Sequence, residues 1–154
     1  MIRLQPLLFK SLGFGLNLLS LIASDRTARI ALRIFGTPPT PRLRQKELAF
    51  LAGARQVRRA AAGREIVEYH WGPADAPLAL LSYGWGYNAG RWRHFVPELV
   101  ESGWRVIAYD PTGHGQAPRG QMHMPLNAAI IMDLLHTYGP AEAIIGHSFG
   151  GSSS

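Results

Sequence analysis

A serine flanked at two residues on either side by glycine closes the chain, in Gly146-His147-Ser148-Phe149-Gly150, with Gly151 directly after. The apolar run Ala143-Ile144-Ile145 leads into it. This pattern predicts a nucleophile elbow. There the serine sits on a sharp, strained strand-to-helix turn and its hydroxyl projects from a sheet edge. Gly146 and Gly150 are small because the backbone folds tightly against itself at such a turn. By composition alone, Gly-x-Ser-x-Gly should arise roughly 0.05 times in a chain of this length, so coincidence is a weak rival. The chemistry implied is acyl transfer. It needs an activated nucleophile, a base held beside it, and donors for a developing oxyanion.

The elements before Ser148 have the alternation that could position it. Glu65 to Trp71 alternates as a strand with one wet face is expected to. Leu78 to Tyr83 and Trp104 to Tyr109 are continuous apolar runs, the pattern of strands covered on both sides in a parallel sheet. Helices are expected between them. One runs from an Asn88 cap to about Ser102, with Pro97 kinking it or opening its regular part, and another from Leu126 to Tyr138, stopped by Gly139-Pro140. Asp110 ends the strand before the loop Pro111-Thr112-Gly113-His114-Gly115, at the carboxyl edge where α/β sites gather. Strands alternating with such helices predict an α/β fold with a mostly parallel sheet and crossover helices.

From Arg64 onward the chain resembles the N-terminal half of an α/β-hydrolase. The resemblance rests on Ser82-Tyr83-Gly84-Trp85-Gly86, Asp110-Pro111-Thr112-Gly113-His114-Gly115 and Gly146-His147-Ser148-Phe149-Gly150, in the family's order. It implies a serine hydrolase, esterase- or lipase-like, with Ser148 as nucleophile and a small ester-like substrate. It implies oxyanion donors at the backbone N–H groups of Phe149 and Trp85, the latter in the loop that opens with Gly84. Asp110 then shapes the neighbouring loop, and His114 resembles the family's structural loop histidine. In this fold the triad runs Ser, then Asp or Glu, then His along the chain. The six residues after Ser148 contain neither an acid nor a histidine. The expectation is therefore a partial α/β-hydrolase fold, truncated after the elbow and inactive alone. The alternative is a non-catalytic remnant that acts as a membrane-associated or interaction module.

Other chemistries find little support. His147 adjoins the nucleophile on a strand whose successive side chains face opposite ways, and reads as a packed elbow residue. Met122-His123-Met124 lacks further ligands around it and reads as loop. No phosphate loop or dinucleotide fingerprint is present, and Gly84-Trp85-Gly86 lacks the third glycine of such a motif. No metal and no cofactor is expected. With no cysteine, disulfides and thiolate metal sites are excluded, which fits a reducing cytoplasm. The net charge of +6 is concentrated before Arg64, outside the hydrolase-like portion, and nucleic acid is not expected as a partner.

That basic segment divides into two expected parts. Residues 1–36 form a leucine-rich extension, with Ser11 to Ser24 uncharged and Arg26, Arg29 and Arg33 beyond. A transmembrane helix, a secretory signal and an amphipathic helix compete for it. The uncharged stretch is short for a span and interrupted by Gly13 and Gly15, and the cleavage site before Asp25 is poor. A helical extension that packs on the domain or touches a membrane surface through residues 1–35 is favoured, in a cytoplasmic protein. Residues 37–63 are read as a proline linker, Thr37-Pro38-Pro39-Thr40-Pro41, and a helix from Arg42 to about Ala62. Arg55, Arg58 and Arg59 would be its solvated face and Gly63 its stop. The hydrolase portion would then be 64–154.

Overall fold

The computed structural model describes residues 4–39 and 43–154, with side chains from Lys10 onward. Thr40, Pro41 and Arg42, which close the expected linker and open the expected helix, lie outside the described residues. The chain forms two compact units, Met1–Thr37 and Pro38–Ser154.

In the first unit the expected extension is two helices, α1 (Leu4–Ser20) and α2 (Ser24–Phe35), packed on each other. Asp25 stands in the first turn of α2 and Arg33 in its last, each where the helix dipole favours its charge. Thr27 is buried between the helices, its hydroxyl donating to the Ala23 carbonyl at 2.9 Å. Phe14, Leu21, Ile22 and Leu32 are exposed.

The second unit opens with α3 (Gln45–Ala52), and the Glu47 carboxylate accepts from the Arg44 N–H at 2.9 Å. The helix expected to continue to Ala62 stops at Gly53. Arg55–Ala61 is instead a strand, β1, antiparallel to β2 (Arg64–Trp71). Ala62 and Gly63 join them with φ of +48° and +72°, the left-handed pair that a two-residue hairpin turn requires. Gly63 is thus a turn residue and not a helix stop. The arginines mark an edge strand, where charged side chains prevent pairing with another chain.

Strands β3 (Leu78–Ser82), β4 (Arg105–Asp110) and β5 (Ala143–Gly146) complete a five-stranded sheet of order β1-β2-β4-β3-β5. β4, β3 and β5 are mutually parallel, while β2 joins β4 antiparallel, so the sheet is mixed and its parallel part lies around β3. The Asn88–Ser102 region holds a 3₁₀ segment (Ala89–His94) and α4 (Val96–Glu101). Asn88 caps the first by accepting from the Gly90 N–H at 2.9 Å, and Pro97 opens the second. Helix α5 (Met124–Tyr138) begins with His123 as its cap and ends at Gly139.

Alternating strand residues feed two cores, one on each face. Val67, Tyr69, Ala79, Leu81, Val106 and Ala108 join Leu51 and Trp92 on one side. Ile66, Leu78, Leu80, Ile107 and Tyr109 meet Ile130, Ile131 and Leu134 of α5 on the other. The wet face expected on β2 is therefore dry from Ile66 to His70. Its charge is accommodated by partners. Glu68 is fully buried and takes hydrogen bonds from Arg59 Nε at 2.5 Å, Tyr138 Oη at 2.5 Å and His70 Nε2 at 2.9 Å. Arg59 also bonds Asp133 of α5 at 2.7 Å, so this arginine ties the hairpin to a helix and is not solvated.

Candidate active site

The parallel strands deliver their carboxyl ends to one edge. Ser82 of β3 pairs with Gly146 of β5, and Leu81 with Ala108 of β4. Asp110, the Tyr83-Gly84-Trp85 loop and the His147-Ser148 turn therefore emerge together.

At the end of β5, Ser148 has φ of +53° and is solvent-exposed. A positive φ is costly for a residue with a Cβ and persists only where the surroundings hold it. Here they do. The His147 N–H donates to the Ser82 carbonyl at 2.9 Å, and the Gly150 N–H to the His147 carbonyl at 3.0 Å. A short 3₁₀ turn, Gly151–Ser153, follows. Close approach explains the two glycines of the motif. A Cβ on Gly150 would lie 2.3 Å from the Ser82 carbonyl oxygen, and one on Gly146 would lie 2.3 Å from the Gly151 Cα.

The loop after β3 touches the same turn. A Cβ on Gly84 would be 2.9 Å from His147 Nδ1 and 3.3 Å from Ser148 Cβ. The Trp85 ring meets the Phe149 ring edge-on with centroids 5.1 Å apart, and both pack on His114, at 5.4 and 6.3 Å. Among the turns and loops of the described residues, neither the Trp85 nor the Phe149 N–H donates a backbone hydrogen bond. His147, expected to be packed, is exposed, resting against Gly84 with its ring toward a neighbouring cleft.

His114 is buried, with Nδ1 3.3 Å from the Thr112 carbonyl. That contact makes Nδ1 the donor. Nε2 is left without a hydrogen-bond partner among the described residues. Burial lowers the His114 pKa, which outweighs the opposing effect of the Thr112 carbonyl, so the ring is neutral.

Asp110 organises the floor. It is fully buried and its two oxygens accept four hydrogen bonds. Oδ1 takes Tyr83 Oη at 2.7 Å and the Ala89 N–H at 2.8 Å. Oδ2 takes Tyr69 Oη at 2.8 Å and the Gln116 N–H at 2.8 Å. Burial pushes the carboxyl up from its ordinary value, against the pull of these donors. One side chain thus joins β2, β4, the loop after β3, the 3₁₀ segment and the loop carrying His114. Sequence reasoning placed Asp110 at this edge but missed Tyr69, Tyr83 and Gln116 as its partners. Tyr83, immediately before Gly84, was the available signal. Among the described residues, no group of three or more His, Cys, Asp or Glu is placed to hold a metal.

The chain resembles known hydrolases over this region. It is 30% identical over 94 residues to the bifunctional esterase/perhydrolase DCH of Acinetobacter calcoaceticus, covering 58% of this chain and 33% of that protein. It is 29% identical over 81 residues to epoxide hydrolase B of Mycobacterium tuberculosis, covering 49% and 23%. The crystal structure of epoxide hydrolase A from Mycobacterium thermoresistibile superposes with a TM-score of 0.57 at 28% identity, over 63% of this chain and 32% of that one. The chain therefore spans at most about a third of the length of these relatives. Residues 75–154 match the family model described as serine aminopeptidase, S33. The chain belongs to that family, within the α/β-hydrolases.

Proposed function

We propose that the site is that of a serine hydrolase acting on carboxylic esters through an acyl-enzyme on Ser148. The observation that carries this reading is the left-handed Ser148, exposed on a turn and pressed against Gly84. Strain at an exposed serine is hard to explain by packing, and is what projecting a hydroxyl toward substrate needs. Ser148 Oγ would attack the ester carbonyl carbon while an imidazole takes its proton. The carbonyl oxygen, now negative, would lie between the N–H groups of Phe149 and Trp85. The same imidazole would return the proton to the departing alkoxide, leaving the acyl group on Ser148 for water to release. Losing one such donor costs about 3 kcal/mol in the transition state.

Phe149 to Ser154 contain no acid and no histidine. These 154 residues thus supply the nucleophile and the donors, and we propose that the chain alone does not turn over esters. The test is the reading frame beyond Ser154. A continuation with an acid and then a histidine, in a protein that a fluorophosphonate labels at Ser148 and whose Ser148→Ala variant is not labelled, supports the enzyme. A stop codon directly after Ser154 overturns it and favours the interaction module.

For the first unit we propose peripheral contact with an anionic membrane surface. Leu21 and Ile22, 81% and 86% exposed, stand beside a helix carrying Arg26, Arg29 and Arg33, the pairing an interfacial helix presents to anionic lipid. No helix among the described residues is long and apolar enough to cross a membrane. Flotation with phosphatidylserine vesicles should bring the chain up, and replacing Leu21 and Ile22 by serine should leave it at the bottom. Equal flotation of both proteins would end this reading.

A further inference from the structure

Beside the elbow lies a cleft of about 320 Å³ whose lining includes Tyr83, Arg91, Trp92, Arg93, His94 and His147. Its walls are aromatic and its charged groups are arginines; none of the residues lining it is acidic. His147 is shared with the elbow, since it rests on Gly84 next to Ser148. The cleft is thus within reach of whatever is attached to a carbonyl at Ser148.

The two arginines differ. Arg91 lies over the Tyr87 ring, 4.3 Å from its centroid, and 3.9 Å from the buried Glu47 carboxylate, which partly neutralises it. Arg93 is in no ion pair among the described residues. It is also half-buried, on the 3₁₀ segment that Asp110 anchors through the Ala89 N–H. A cation held on a fixed element, partly out of water and without its own anion, is a receptor for one. Trp92, 8% exposed, adds a flat apolar surface, and its indole N–H has no acceptor among the described residues. Together these groups fit an apolar or aromatic body that ends in a carboxylate.

We propose that this cleft binds the carboxylate-bearing end of the substrate, making the favoured substrates esters that carry a free carboxylate on an apolar or aromatic spacer. The inference rests on the serine-hydrolase reading for its link to catalysis, but the cleft's preference is an equilibrium property that needs no reaction.

The test is calorimetric titration of the full chain with 4-phenylbutyrate and with its neutral amide, 4-phenylbutyramide. One charge-assisted hydrogen bond gained by the carboxylate should make it bind about tenfold tighter than the amide. Arg93→Gln should reduce that preference to about twofold, and Arg91→Gln should weaken it less, because Glu47 already offsets that charge. Raising the salt to about 0.5 M should weaken the carboxylate alone. Equal binding of the two ligands to the unaltered chain overturns the proposal, whether or not the variants fold. So does a preference that Arg93→Gln leaves intact. Ser148→Ala should keep the preference in full. A protein that continues past Ser154 with an acid and a histidine and binds carboxylate selectively, yet resists fluorophosphonate at Ser148, would sink the hydrolase reading and leave the anion cleft standing. Labelling at Ser148 without carboxylate preference would do the reverse.

Discussion

Replacing Asp110 by asparagine tests whether an ionised carboxylate orders the site floor. Asparagine has nearly the same shape, but only one of its two terminal atoms accepts. Whichever way the amide turns, it loses two acceptor positions: either those for Tyr83 Oη and the Ala89 N–H, or those for Tyr69 Oη and the Gln116 N–H. A tyrosine hydroxyl can rotate to accept from the new NH₂. A backbone N–H cannot, so one buried main-chain donor is stranded facing another donor. Each bond to a charged acceptor is worth about 1.5–3 kcal/mol, and an orphaned buried group costs about 1–3 kcal/mol. Against these stands the relief of no longer burying a charge, the same effect that raises the Asp110 pKa. The net expectation is a loss of about 3 kcal/mol. With a urea slope of about 2 kcal/mol/M, the unfolding midpoint should fall by about 1.5 M at unchanged slope. Tyr83→Phe, which removes one donor and leaves the carboxylate, should cost about 1 kcal/mol. An asparagine variant within about 0.5 kcal/mol of the parent would refute the reasoning. It would mean that the native group is already protonated, a near-isostere of the amide.

Three further expectations follow from the same geometry. Gly150→Ala drives a Cβ to 2.3 Å from the Ser82 carbonyl oxygen, so the elbow must part from β3; the variant should lose about 2–4 kcal/mol in urea melts, and an unchanged midpoint would refute the close approach. Stability should fall in two stages on acidification. His114, whose pKa burial lowers, contributes stability that is complete above its unfolded value of about 6.5 and is lost as the pH falls below it. The Glu68 carboxyl follows: burial would raise it, but bonds from His70, Tyr138 and Arg59 win and hold it below the ordinary range. Asp133, lowered by the Ala62 N–H and then by Arg59, acts with it, and their stabilisation goes below about pH 4. Melting temperature against pH should show both stages, and His114→Phe should erase the first. Finally, β5 pairs only with β3 among the described residues, leaving a row of edge N–H and C=O groups beside Ile144, which is 39% exposed. Ile144→Lys should reduce self-association, read by light scattering, and no change would remove that edge as the cause.

What the sequence made legible was what local chemistry encodes. The elbow is a five-residue code in which each glycine answers a nearby backbone atom, so Gly146 and Gly150 could be placed without the rest of the fold. Strands β3 and β4 are short apolar runs buried on both faces, and composition alone marks them. Strand β1 was misread because Arg55–Ala61 has no alternation of apolar and polar residues, and its arginines and alanines favour a helix. Its pairing with β2 and the left-handed turn at Ala62-Gly63 override that preference. β2 is a strand as expected, but its burial on both faces was not legible, for the complementary reason. Glu68 and His70 look like a solvent face, and only the distant Arg59 and Tyr138 explain how a charged strand can be buried. The partners of Asp110 come from four separate stretches of chain, at Tyr69, Tyr83, Ala89 and Gln116, and no spacing rule links them.

The two groups proposed to hold an oxyanion are main-chain donors, so no side chain at their own positions can aim them; what aims them is packing. Trp85 and Phe149 touch each other and share His114 as a third surface, while Gly84 and Gly150 let their backbones approach β3 and the elbow. A neutral, buried His114 is then a spacer that sets the distance between the two loops. Its protonation would put a charge among three aromatic rings with no anion in direct contact, and the pair of donors would part before the sheet unfolds. Loss of donor geometry should therefore precede loss of the fold as the pH falls through the first stage. Indole fluorescence of Trp85, compared with that of a Trp85→Phe variant to isolate its signal, should change at a higher pH than far-ultraviolet circular dichroism. Coincident transitions would show that His114 supports the fold as a whole and not the spacing of these two loops.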